Sequence, residues 1–174
     1  MREPTAPHGP VAPDSRSAAA MDYLTVKWLH ILSSTVLFGT GLGTAYYMFF
    51  ASLSRDPRAA AVVLHWGVRA DWLFTTTTIV FQPASGFYMV YLTHLPITTP
   101  WILWSLVLYL VAGACWLPVV WIQLRLRDMA RAAARDDTPL PPRYFRLLRL
   151  WTALGVPAFV ALIVVFWLMT TKPA

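Results

Sequence analysis

Apolar residues in this chain come in long blocks rather than in alternation, and the polar residues are confined to the gaps between them. Four blocks stand out: Leu24–Ala51, Trp72–Thr93, Trp101–Leu124 and Tyr144–Thr171. Each holds at least about 20 largely apolar residues, the length a helix needs to cross hydrocarbon about 30 Å thick. The alternating pattern of an outer-membrane barrel strand is missing. A helix satisfies its own backbone polar groups, so apolar blocks of this length predict an all-α integral membrane four-helix bundle.

The gaps refine that picture. Residues 1–20 contain four prolines and no apolar run, and read as a disordered tail; residues 21–174 form the transmembrane domain. After the first block, Ser54 to Pro57 reads as a loop, with Pro57 suited to a helix's first turn. Ala59–Arg69 then reads as an amphipathic helix leading into the second block. Pro83 predicts a kink in that block, and Pro118 falls within the third. His94 to Pro100 is a short connection. Arg125 to Arg143 is a polar one, ending in Pro139, Leu140, Pro141 and Pro142.

Composition agrees: 57% of residues are hydrophobic and 13% charged, against about 25% charged in a soluble domain. The net charge of +6 does not indicate nucleic acid, because the basic residues flank apolar blocks and build no basic domain. Their placement instead predicts orientation. Arg55, Arg58, Arg69, Arg125, Arg127, Arg131, Arg135, Arg143, Arg146 and Arg149 border two of the connections, while Arg2, Arg16, Lys27 and Lys172 lie on the other side. The expected topology is up-down-up-down in a bacterial inner membrane, with both termini periplasmic. The single cysteine, Cys115, excludes an internal disulfide and a Cys-based zinc site.

Ionisable groups inside a membrane block are functional candidates. His30 is the main one, roughly 9 Å below the outer end of the first block at 1.5 Å per residue. Helical spacing puts Ser34, Leu37, Gly41 and Met48 on its face, and the small Ser34 and Gly41 leave room for a flat ligand such as haem. Lys27, one turn nearer the outer surface, would suit a haem propionate. The competing reading is a histidine that simply hydrogen-bonds a neighbouring helix. His94 and Met89 are weaker candidates for a second axial or metal ligand: His94 suits a loop, and methionine in an apolar helix usually packs. His65, Arg69 and Asp71 are placed where a polar cluster at the inner boundary can form, and most such clusters are solvated or structural. Gly39, Gly41 and Gly43 do not form a nucleotide loop, since no strand precedes them and no Gly-Lys-Ser follows. Thr35, Gly39 and Gly43 recur every four residues instead, a row that lets another helix approach closely. The Thr75–Thr78 hydroxyls can bond their own helix, whereas the Gln82 amide needs a partner on another one. No nucleophile–base pair or carboxylate dyad is visible.

The segments Tyr23 to Ser34, Phe38 to Gly41, Ala70 to Thr75, Gln82 to Gly86 and Trp116 to Val120 resemble a bacterial family known only as predicted integral membrane proteins of unknown function. The resemblance covers residues 23–171. Lys27 and His30, with two residues between them, are also distantly similar to the first helix of HemJ-type protoporphyrinogen oxidases and of CopD-like copper-resistance membrane proteins. The HemJ likeness implies haem b with His30 as ligand. Those oxidases also use a third-span lysine. Trp101–Leu124 has none, and Ser105 stands about where it would be.

Three functions follow as expectations: a haem b-binding protein for electron transfer or porphyrin-type oxidoreduction; a non-enzymatic membrane subunit assembling with itself or a membrane-protein partner; and, last, a small transporter, which lacks Met-rich or Cys-rich ligand rows.

Overall fold

A computed structural model describes residues 15–173, with side chains from Ala20 onward. The described chain is helical between short connections: α1 (Ser15–Leu53), α2 (Pro57–Ala70), a π-helical turn (Asp71–Thr75), α3 (Thr76–Thr93), α4 (Pro100–Arg135) and α5 (Pro142–Thr171). α1 starts inside the segment expected to be a tail, so Ser15 to Ala20 are helical; residues 1–14 of that segment lie outside the described residues.

Local chemistry sets the breaks. α1 stops where Arg55 takes φ 58°, and Asp56 starts α2 by accepting the Arg58 amide at 2.8 Å, with Pro57 in the first turn. α3 ends at His94 in the left-handed conformation, φ 53°. Pro100 and Pro142 each open a helix. The amphipathic helix expected to lead into the second block joins it through a π turn, and this turn re-aims the side chains that follow.

Among the described residues, three helices are long and apolar enough to cross a membrane: Ala20–Leu53, Pro100–Arg135 and Pro142–Thr171. α3 is not among them. It has 18 residues, the π turn sets it off from α2, and Thr76, Thr77, Thr78 and Gln82 dilute its hydropathy. Many large apolar side chains point outward, including Trp28, Tyr47, Leu73, Leu110 and Trp167; on helices of this length, lipid is the solvent that tolerates them.

The hydrophobic core lies at one end of the bundle. Met48 of α1, Ala60 and Leu64 of α2, Ile122, Leu126 and Ala130 of α4, and Tyr144 and Leu148 of α5 meet there, nearly all out of reach of solvent. Alanines 60, 130 and 133 let α2 lie close against α4. Ser52 and Tyr144 bond through their hydroxyls at 2.6 Å, fixing the end of α1 to the start of α5. Away from this end, α1 packs on α3 and α4 on α5, with few contacts between α1 and α5. Phe38 bridges that gap, stacking on Phe159 at 4.6 Å and meeting Phe166 edge-on at 5.3 Å.

Candidate functional site around His30

α3 carries a polar seam. Asp71, Thr75, Thr78, Gln82 and Ser85 follow one another at four- and three-residue steps, so they share one side of the helical path. Thr75, Thr78, Gln82 and Ser85 are buried. That side packs on α1, whose matching face buries His30, Leu37 and Met48, three of the residues that helical spacing placed together.

At one end of the seam, His30 is 8% exposed. Its Nδ1 lies 2.7 Å from Ser85 Oγ. The Ser85 hydroxyl is also 2.7 Å from the Phe81 carbonyl and 3.1 Å from that of Gln82. A hydroxyl has one proton. If it is donated to Phe81, Oγ is left to accept Nδ1–H from the imidazole, which makes Nε2 the lone-pair nitrogen. No described hydrogen bond uses Nε2. Gln82 completes the grip by donating Nε2–H to the His30 carbonyl at 3.0 Å. This is the cross-helix partner that the Gln82 amide required. Gly86 sits beside the ring, where an added Cβ would stand 3.7 Å from Cε1.

The other sequence candidates are more scattered. Lys27 is exposed. Ser34 donates to the Ile31 carbonyl at 2.7 Å, and Gly41 has open space where a Cβ would be. Met89 is half-buried, and its carbonyl accepts from Thr93. His94 lies at an exposed cleft with Phe87, Tyr91 and Ile97. No described contact joins either Met89 or His94 to His30. Thr35 is exposed and donates to the Ile31 carbonyl, while Gly39 and Gly43 have nothing within 4 Å of an added Cβ. The small-residue row therefore faces away from this chain's own helices. Among the described residues, no group of three or more His, Cys, Asp or Glu is placed to hold a metal ion.

The boundary cluster divides. His65 accepts from Arg131 of α4. Asp71 turns the other way: its Oδ2 accepts from Gln123 Nε2 at 2.6 Å, and its Oδ1 from Thr75 and Thr44 at 3.1 and 3.2 Å. One carboxylate thus ties α1, the π turn and α4 together with three neutral donors. Thr44 and Gln123 were not evident as its partners, because a sequence does not show which residues of separate helices share a depth. Tyr109 is a further case. Its hydroxyl donates to the Ile79 carbonyl at 2.6 Å, the carbonyl four residues before Pro83 and so deprived of its helical donor. The proline was the signal for an orphan acceptor; the donor's identity needed the fold.

The family described as predicted integral membrane protein (DUF2269) matches residues 24–173, and the chain belongs to it. No curated protein and no solved structure matches the chain.

Proposed function

We propose that this member of an integral membrane family is a four-span bundle that binds haem b through His30 and serves electron transfer or a porphyrin-type oxidoreduction. The observation that carries the reading is the imidazole held at Nδ1 by Ser85 at 2.7 Å, with Nε2 free of any described partner. Histidine ligands to metals characteristically donate their other ring N–H to a fixed acceptor, which sets the tautomer and raises the ligand's basicity. His30 would supply one ligand to the iron, and Gly86 keeps the flank of the ring low. Lys27 supplies a cation one turn away for a propionate, and Ser34 and Gly41 line the same helix.

When bound, haem b would supply one-electron chemistry. The chain's own part is to orient the imidazole through Ser85, to lock the α1 backbone through Gln82 and to keep water from the seam. In this reading α3 with its π turn is also a span, the second in chain order, and brings the number to four. The pairings His30–Ser85 and Thr44–Asp71 support α1 and α3 running in opposite directions. The arginine-rich connections face the cytoplasm, and both termini face the periplasm of a bacterial inner membrane.

The test is an absorption spectrum of detergent-purified protein from haem-replete cells, oxidised and dithionite-reduced. A Soret band is expected, lost in His30→Ala. In Ser85→Ala it is expected to persist with haem affinity about 10- to 100-fold weaker. A colourless wild-type protein would sink the reading.

A second reading has its own observation. Thr35 is exposed, and open space lies over Gly39 and Gly43. A helix of a second copy or of a membrane partner fits along this row, making the chain a non-enzymatic scaffolding subunit. Gly39→Leu would then dissociate the assembly while leaving the monomer folded.

A further inference from the structure

Arginines crowd the end of the bundle where α2 lies against α4, and several already have an acidic partner. Arg58 pairs with Asp137 at 3.0 Å, Arg127 with Asp128 at 2.8 Å, and Arg135 with Asp136 at 3.2 Å. Asp56 caps α2, and Asp71 is held by Gln123 and two threonines. These bonds occupy every described carboxylate at this end. Arg69 and Arg131 have none. Arg131 donates to His65 Nδ1 instead, a neutral acceptor that leaves its charge uncompensated. Arg69, four residues after His65 on the same face of α2, lies over the Trp66 ring at 5.2 Å. Desolvation against α4 and the charges of Arg131, Arg69 and Arg127 hold His65 below its ordinary pKa, so the imidazole remains an acceptor at neutral pH.

The same junction continues into a largely apolar trough. Val68, Asp71, Trp72 and Thr76 form one wall, and Trp116, Val120, Gln123 and Leu124 of α4 the other, with Asp71 and Gln123 bonded to each other. Leu124 is two turns before Arg131, and Val68 adjoins Arg69. From Trp116 to Leu124 the trough runs about 12 Å along a helix long and apolar enough to lie in a bilayer.

We propose that this charged mouth and apolar trough bind one anionic phospholipid, with its phosphate between Arg69 and Arg131 and an acyl chain against Val68, Trp72, Val120 and Leu124. Guanidinium forks match phosphate oxygens in pairs, and basic sites between membrane helices draw acidic headgroups. Free phosphate would satisfy the mouth alone; the trough is what selects a lipid. The proposal is independent of any haem at His30.

Native mass spectrometry of the full chain in detergent, offered equal phosphatidylglycerol and phosphatidylcholine, tests it. Wild type is expected to retain phosphatidylglycerol at least about fivefold over phosphatidylcholine. Arg69→Gln with Arg131→Gln should bring the ratio near one, while Arg135→Gln, whose guanidinium is paired with Asp136, should leave it unchanged. Leu124→Trp, which fills the trough and spares the arginines, should lower retention of the lipid. Equal retention by wild type, or an undiminished preference in the double variant, overturns the proposal. So does an Arg69- and Arg131-dependent thermal stabilisation by millimolar inorganic phosphate in lipid-free detergent without any phosphatidylglycerol preference, which would assign the mouth to the free anion.

Discussion

A carbonyl withdrawn from water without a donor is costly, and Pro83 makes one at Ile79. Tyr109 answers it from α4 at 2.6 Å. Tyr109→Phe should therefore lower stability by about 1 kcal/mol. In a Pro83→Ala background the restored amide can serve Ile79, and the same substitution should cost much less; a double-mutant cycle by denaturant titration in micelles reads the coupling. His65 gives a residue-level pH effect. Its pKa is lowered by desolvation against α4 and by Arg131, Arg69 and Arg127, so the folded state prefers the neutral imidazole. Above the ordinary value of about 6.5 both states are neutral and nothing is lost. As pH falls through that value the unfolded chain gains a proton that the folded chain resists, so stability declines. Thermal melts between pH 7.5 and pH 5.5, read in steps of roughly half a unit around that value, should show this slope in wild type and a shallower one in His65→Gln.

Elements here are placed by small residues at crossings. Gly67 of α2 faces Met48 of α1, and an added Cβ would come within 2.7 Å of the Met48 sulfur. That methionine is 1% exposed, and its sulfur accepts from Gln123 at 3.2 Å, so it cannot move without disturbing the Asp71 network. Gly67→Ala is expected to destabilise by roughly 1–3 kcal/mol, despite alanine's better helix propensity. Adding Met48→Ala should recover part of that loss, a non-additivity measurable by thermal melts in detergent. The sequence made α2 legible as an amphipathic helix from Pro57 and its spacing. It did not show the π turn after it, because a π turn adds no distinctive residue; Asp71–Thr75 adopts it where Asp71 reaches both Thr44 and Gln123.

For the whole molecule, the reading that follows from the arginine bias is an inner face made of the Ser54–Asp56 and Asp136–Pro141 connections. With Cys115→Ser as background, Asp137→Cys should be blocked by membrane-permeant maleimide only, and a cysteine at Thr98 by the impermeant reagent as well. The reverse result would invert the bundle and carry His30 to the opposite leaflet. The arrangement into an α1–α3 pair and an α4–α5 pair, joined by a core at one end and by Phe38 and the Tyr109–Ile79 bond elsewhere, concentrates packing where α2 adds a further helix.

Long apolar blocks, punctuating prolines and clustered arginines determine helices, their approximate ends and a membrane as solvent, because these depend on local composition and on transfer free energy. His30 and Gln82 could be marked as residues in need of partners, since a polar group withdrawn from water must find one. Which partners they found was decided by tertiary structure. Ser85 for His30, Tyr109 for Ile79, and Thr44 with Gln123 for Asp71 come from separate helices whose rotation and relative depth are fixed by side-chain packing. The separation of His65 from Asp71 has the same cause: the helical path, re-aimed at its π turn, sends one to α4 alone and the other between α1 and α4.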